Sequence, residues 1–341
     1  MARIFVGHRW PTGEAMLRIH FTSDDLATVR IARSPDPLWE IVCSLFRLQA
    51  REGALAFDPW RRTVGELVRR SATARGAASA LHSLVPRAAY FPDFLTPPVE
   101  GGPTDLQTGI DRVLATPRRR LRQELALLSE GGGQPWAGAE LARGDVPTLT
   151  ALGANLRTYY AEFIAPLWGR ISAATAADLA LRTRAVVDGG TQALLNSLRP
   201  MLTWESPVLT ADYPVERDLH LQGRGLLLVP SYFCWRRPIT LADDDLQPVL
   251  IYPVDRTRAP DASVPSLPRL LGSTRAALLH EAASLACATT SELADATGVS
   301  LPSVSQQLAV LRESGLVTSR RDGKRVIHAT TPLGCRLLGR P

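Results

Sequence analysis

The stretch "TTSELADATGVSLPSVSQQLAVLRESGLVTSRRDGKRVIHATT", residues 289–331, constrains this chain more than any other part of it. Two short amphipathic runs are separated only by Gly298, Val299 and Ser300. Thr290 or Ser291 reads as the N-cap of the first run, Glu292 falls in its first turn, and Gly298 ends it. In the second run Ser300 caps, Pro302 stands in the first turn and Gly315 closes. Asp322-Gly323 then marks a tight hairpin. Upstream, "LLGSTRAALLHEAA" reads as one apolar-faced helix. The order is helix, helix, turn, helix, hairpin.

The second run has a defined polar face. Val304, Leu308 and Leu311 are spaced i, i+4, i+7 and must face a core, so Pro302, Gln306 and Ala309 point away. Ser303 and Gln307 lie on one flank and Ser305 on the other. This surface is small, uncharged and rich in hydrogen-bonding groups. It suits a major groove, where Gln bonds an adenine edge with two hydrogen bonds and Ser bonds bases or phosphates. Beside it, Arg320, Arg321, Lys324 and Arg325 cluster at the hairpin tip, where a wing touches phosphates or the minor groove. Lys324 is the only lysine in the chain, and asparagine is also rare, so the arginine bias reflects coding composition before function. The formal charge of +6 agrees with a polyanionic partner.

With these residues in view, the segment resembles the winged helix-turn-helix of the arsenic-repressor (ArsR) family of bacterial regulators, and "LGSTR" resembles that family's first-helix signature. The resemblance covers about the last 75 residues. It implies double-stranded DNA with an inverted-repeat operator as partner. It places Ser303, Ser305, Gln306 and Gln307 at recognition positions and Arg320, Arg321, Lys324 and Arg325 in the wing; the capping Ser300 joins them as a candidate DNA contact. It also implies a homodimer formed through the first and last helices, here near 269–286 and 332–339, and repression of transcription. Many members sense metals through cysteines at the start of the helix before the turn. Thr289, Ser291 and Ala294 stand at those positions, so that metal site is not expected. The chain is also far longer than a typical member. Its front part resembles a segment of long ArsR-like proteins that carries no assigned activity.

That front part reads as a mixed, mostly helical body, so the expected fold class is mainly α (α+β). The expected boundaries are a leader over 1–15, an N-terminal domain over 16–253, a linker over 254–268 that is rich in proline, and the winged domain over 269–341. "MLRIHFT" alternates as a strand, and Ser23 caps a helix after it. "PLWEIVCSLFRLQA" has helical spacing, "FPDFLTPPVEGGPTD" is a loop, and "DLQTGIDRVLAT" is a helix. Thr116 caps the helix of "TPRRRLRQELALLSEGGG", and 149–199 reads as helical throughout. Alternation on both sides of Gly223-Arg224-Gly225 reads as a β-hairpin, and "DLQPVLIYPV" as a further strand.

Several features invite function and read more plainly as structure. Tyr232 and Trp235 beside Arg236 offer stacking and charge for a planar or acidic ligand, but aromatic core at a strand end is the simpler reading. Arg118, Arg119, Arg120 and Arg122 read as a solvated helix face. Cys287 stands without ligand-spaced partners, and His280 and His328 read as core-edge or surface residues. "GRG" lacks phosphate-loop spacing. No apolar run nears the ~20 residues of a membrane span, and the four scattered cysteines fit a reducing cytoplasm. No nucleophile, metal or paired-carboxylate signature is present, so neither catalysis nor a cofactor is expected. The sequence therefore predicts a cytoplasmic, nucleoid-associated, sequence-specific repressor responding to an organic ligand or a protein partner. The alternatives are a small-molecule enzyme with an appended winged helix, and a scaffold whose winged domain binds protein.

Overall fold

The chain folds as two units, Met1–Ala259 and Pro260–Pro341. The computed structural model describes residues 15–86, 90–98, 105–254, 267–285, 288–322 and 325–338. All but the last residue of the expected leader, and nearly all of the expected linker, lie outside the described residues. The fold class is mainly helical with small mixed sheets. No helix among the described residues is long and apolar enough to cross a membrane.

The first unit opens with β1 (Met16–His20), α1 (Ser23–Ala27) and β2 (Arg30–Ile31). A helical body follows: α2 (Pro37–Gln49), α3 (Ala54–Arg70), α4 (Ala72–Leu84), α5 (Leu106–Leu114), α6 (Arg118–Glu130), α7 (Gly138–Arg143) and α8 (Val146–Tyr159). A π turn and a 3-10 turn lead into the long α9 (Trp168–Ser197), which breaks at Gly189 and Gly190. The segment expected to be helical throughout is thus helical with one irregular joint and one kink. Six strands complete the unit: β3 (Thr203–Glu205), β4 (Val208–Asp212), β5 (Arg217–His220), β6 (Leu227–Ser231), β7 (Ile239–Thr240) and β8 (Val249–Pro253).

These strands form two four-stranded sheets, ordered β3-β4-β1-β5 and β2-β6-β8-β7. β6 and β8 are parallel and buried at every position. Their alternate residues enter two different cores. Leu227, Val229, Val249 and Ile251 pack with the helical body, while Leu228, Leu250 and Tyr252 pack with Leu17, Ile19 and Leu209 of the other sheet. A strand covered on both faces has no polar side to show, which is why "LLVPS" and "VLIYP" are almost uninterruptedly apolar.

This burial overturns the hairpin expected around Gly223-Arg224-Gly225. β5 pairs in parallel with β1, and β6 pairs in parallel with β2 and β8, so the two strands belong to different sheets. The intervening loop is a sharp link with Gln222, Gly223 and Gly225 all at positive φ. A Cβ on Gly225 would meet Thr28 Oγ1 at 2.5 Å, so only glycine fits there. The Arg224 guanidinium ties the loop to the carbonyls of Leu221, His220 and Leu246.

Buried carboxylates hold the loops of this unit in place. Glu40 on α2 is fully buried and accepts hydrogen bonds from Tyr232 N at 2.7 Å, Phe233 N at 3.0 Å and Ser231 Oγ at 3.1 Å. Asp93 accepts from Ala242 N and Asp243 N, and Asp25 from Gly225 N. Burial pushes the Glu40 and Asp93 carboxyls each up to about 7, against the pull of their backbone donors. Helix starts follow the same logic. Asp36 caps α2, while Thr22 caps α1 in a reciprocal box with Asp25, so Ser23 is the first helical residue and not the cap. The α6 start has no side-chain cap, and Thr116 instead donates back to the Arg112 carbonyl of the preceding helix.

The second unit contains α10 (Leu267–Leu271), α11 (Ser273–Ser284), β9 (Ala288–Thr289), α12 (Thr290–Thr297), α13 (Leu301–Glu313), β10 (Val317–Asp322), β11 (Arg325–Thr330) and α14 (Pro332–Leu337). The single helix expected over its start is two, broken at Gly272 with φ +85°. β9, too short to show a period, adds a third strand in the order β10-β11-β9.

Replacing Glu40 with Ala leaves two core amide groups and a hydroxyl without their acceptor. The Glu40→Ala chain is expected to lose about 3 kcal/mol of stability, read as a lower urea midpoint. An unchanged midpoint contradicts the pinning role.

Candidate nucleic-acid interface

The interface is built on the core of the second unit. Leu278, Leu279 and Ala282 of α11, Leu293 of α12 and Val304, Leu308 and Leu311 of α13 form one buried cluster. Thr289 caps α12 and forms a capping box. Its hydroxyl accepts from Glu292 N, and the Glu292 carboxylate accepts from Thr289 N at 2.7 Å. The cap is therefore Thr289, one residue before Thr290 and two before Ser291. Gly298 ends α12 in the left-handed conformation at φ +67°, and its N–H returns to the Ala294 carbonyl.

Ser300 occupies the N-cap position of α13, but its side chain makes no cap bond, contrary to the expected capping role. Its exposed position leads the helix. With Val304, Leu308 and Leu311 each no more than 2% exposed, the rotation of α13 is set. Pro302, Ser305 and Gln306 are exposed, and Ser303 and Gln307 are half-buried on the flank. Ser303, Ser305, Gln306 and Gln307 make the N-terminal end of α13 largely polar, with Leu301 and Pro302 also exposed there.

The wing is regular. β10 and β11 pair antiparallel, with Arg320 opposite Ile327, Arg321 opposite Val326 and Asp322 opposite Arg325. Arg320 and Arg321 are both exposed. As successive strand residues these two project to opposite faces of the hairpin. Lys324 and Gly323 lie outside the described residues, as does Cys287. Arg325 is placed in β11 by its backbone.

Of the two positions expected for His328, core edge or surface, it takes the first, at 5% exposed. Its Nδ1 lies 2.8 Å from Ser319 Oγ and its Nε2 3.0 Å from Thr290 Oγ1. Burial, with the Arg312 charge nearby, holds its pKa below the ordinary histidine value. No sequence spacing announces this arrangement, because its three members come from three elements. His280 is exposed on α11.

The residues singled out for a small ligand sit elsewhere, in the first unit. Tyr232 is buried, with its ring 6.4 Å from Phe57 and 5.4 Å from Phe233. Trp235 meets Phe57 edge-on at 5.5 Å. Arg236 is exposed, with its guanidinium 6.0 Å from the Trp235 ring and its φ at +61°. Two of the three thus serve an aromatic cluster of the core. Arg118, Arg119 and Arg122 are exposed, and Arg120 pairs with Glu124. Among the described residues no His, Cys, Asp and Glu side chains converge in a group that could hold a metal.

Comparison with known families agrees with this geometry. Residues 270–320 match a family described as a helix-turn-helix domain. The C-terminal unit is a DNA-binding helix-turn-helix, the module of a transcriptional regulator. Within that class it resembles the ArsR-type helix-turn-helix. Residues 149–258, from α8 through the strands of the first unit, match a family of unknown function (DUF5937). No curated protein and no solved structure matches the chain.

The His328 shift has a defined sign. The stability contributed by burying the neutral ring is complete above the unfolded value of ~6.5 and is lost as pH falls through the lower folded value. The His328 ring-proton resonance, assigned by its loss in His328→Gln, is expected to titrate below ~6.5. A midpoint at or above that value contradicts the burial argument.

Proposed function

We propose that the chain is a sequence-specific transcriptional repressor that binds an inverted-repeat operator as a homodimer. The observation that carries this reading is the polar end of α13, presented outward beside a wing with exposed Arg320 and Arg321. Side chains at Ser303, Ser305, Gln306 and Gln307 read base edges, while Ser300 and the wing cations hold the backbone. Exposed Leu270, Leu285 and Leu333 favour pairing through the first helices and the last helix of the unit. A twofold axis there sets two copies of α13 about 34–36 Å apart, one turn of DNA.

The first unit then senses an organic ligand or a protein partner and supports the dimer, and it does not catalyse. Glu40, Asp93 and Asp25 spend their carboxylates on backbone donors, as structural groups do. A metal effector is disfavoured because Thr289, at one family sensor position, is committed to a helix cap. The setting is the cytoplasm, on the nucleoid.

The test is binding to the chain's own upstream region, with and without cell extract, across a salt series. Gln306→Ala is expected to change discrimination at one base position by about 1–3 kcal/mol. Arg320→Ala is expected to weaken all sequences alike and flatten the salt slope by about 0.9. Equal effects of both changes on every sequence contradict this division of labour.

A further inference from the structure

His328 is the one buried polar side chain of the winged unit among the described residues. Its surroundings are unusual for a core histidine. Neither ring nitrogen is satisfied by its own strand. Nδ1 meets the hydroxyl of Ser319, directly opposite on β10, and Nε2 meets the hydroxyl of Thr290, the first residue of α12. The imidazole therefore spans from the wing sheet to the helix that packs on α13. Ser319 immediately precedes Arg320 and Arg321, and Thr290 immediately follows the Thr289 cap. One short chain of contacts runs from the wing cations through Ser319, His328 and Thr290 to α12 and so to α13.

Apolar residues of similar shape would fill this space at little cost in stability. A polar trio, by contrast, fixes distance and direction, because each hydrogen bond has a narrow geometry. We propose that His328 is a positioning residue that locks the wing against the helix-turn-helix, so that the wing cations and the polar end of α13 engage one duplex together. This inference rests on the DNA-binding reading above.

The neutral ring suits the role. It carries one donor and one acceptor, and either hydroxyl can serve either nitrogen. Protonation leaves both hydroxyls able to accept, so what opposes it is the burial of a charge and the nearby Arg312 of α13. From α12, Glu292 is engaged in its own cap, and β9 contributes Ala288 opposite His328.

The test uses the full-length chain and a duplex selected by the wild-type protein from a random library. Thr290→Val removes the Nε2 contact while leaving the Thr289 cap in place. It is expected to weaken binding about tenfold on every sequence and to flatten the salt slope by about 0.9 to 1.8, one to two phosphate contacts. Base preference at the Gln306 position stays unchanged. Thr290→Ser restores the hydroxyl and wild-type behaviour. Combining Thr290→Val with His328→Leu binds no worse than His328→Leu alone, because both remove the same link. The clasp is overturned if Thr290→Val keeps wild-type affinity and salt slope, if Thr290→Ser behaves like Thr290→Val, or if Thr290→Val alters base preference. Failure of the wild type to select any duplex removes the DNA-binding reading itself, a separate outcome.

Discussion

The packing of Val304, Leu308 and Leu311 into the core of the winged unit is the interaction on which the functional surface depends. A helix is free to rotate about its axis until its side chains choose a face. Truncating one such core residue costs about 2–5 kcal/mol, so three in register leave a single rotation. That rotation presents Ser305 and Gln306 to solvent and sets Ser303 and Gln307 on the flank. Their hydrogen-bonding capacity is available to a partner because the apolar side of the helix is fully used. Function here is what remains once packing has been satisfied.

The first unit meets a different constraint with a different device. Parallel strands buried on both faces need connecting loops that dive into low-dielectric surroundings, where unpaired amides are costly. Glu40, Asp93 and Asp25 supply acceptors at those loops. Further along, Asp178 receives the Tyr252 hydroxyl at 2.5 Å and pairs with Arg182. These carboxyls are costly to bury, as the upward shifts of Glu40 and Asp93 record. They are kept because each answers several donors at once.

What the sequence made legible follows from range. The α2 and α13 patterns were readable because helical periodicity is local. The alternation around Gly223-Arg224-Gly225 was equally local, yet it misled, because strand partners are chosen by burial of distant segments such as Val249–Pro253. Two caps lie earlier than the residues expected for them, Thr22 before Ser23 and Thr289 before Thr290 or Ser291. In each, the acid three residues onward identifies the true cap, Thr22 with Asp25 and Thr289 with Glu292, and that spacing was present in the sequence. The recognition face was readable for the same local reason. The His328 bridge was not, since Thr290 and Ser319 approach it only in three dimensions.

The central claim is that the polar end of α13 and the adjoining wing are the surface that meets DNA. Hydrogen–deuterium exchange of the full chain, with and without a bound duplex, addresses it most directly. The account predicts slowed exchange across 300–310 and 317–330 when DNA is bound. Tight binding with no protection at 300–310 contradicts it.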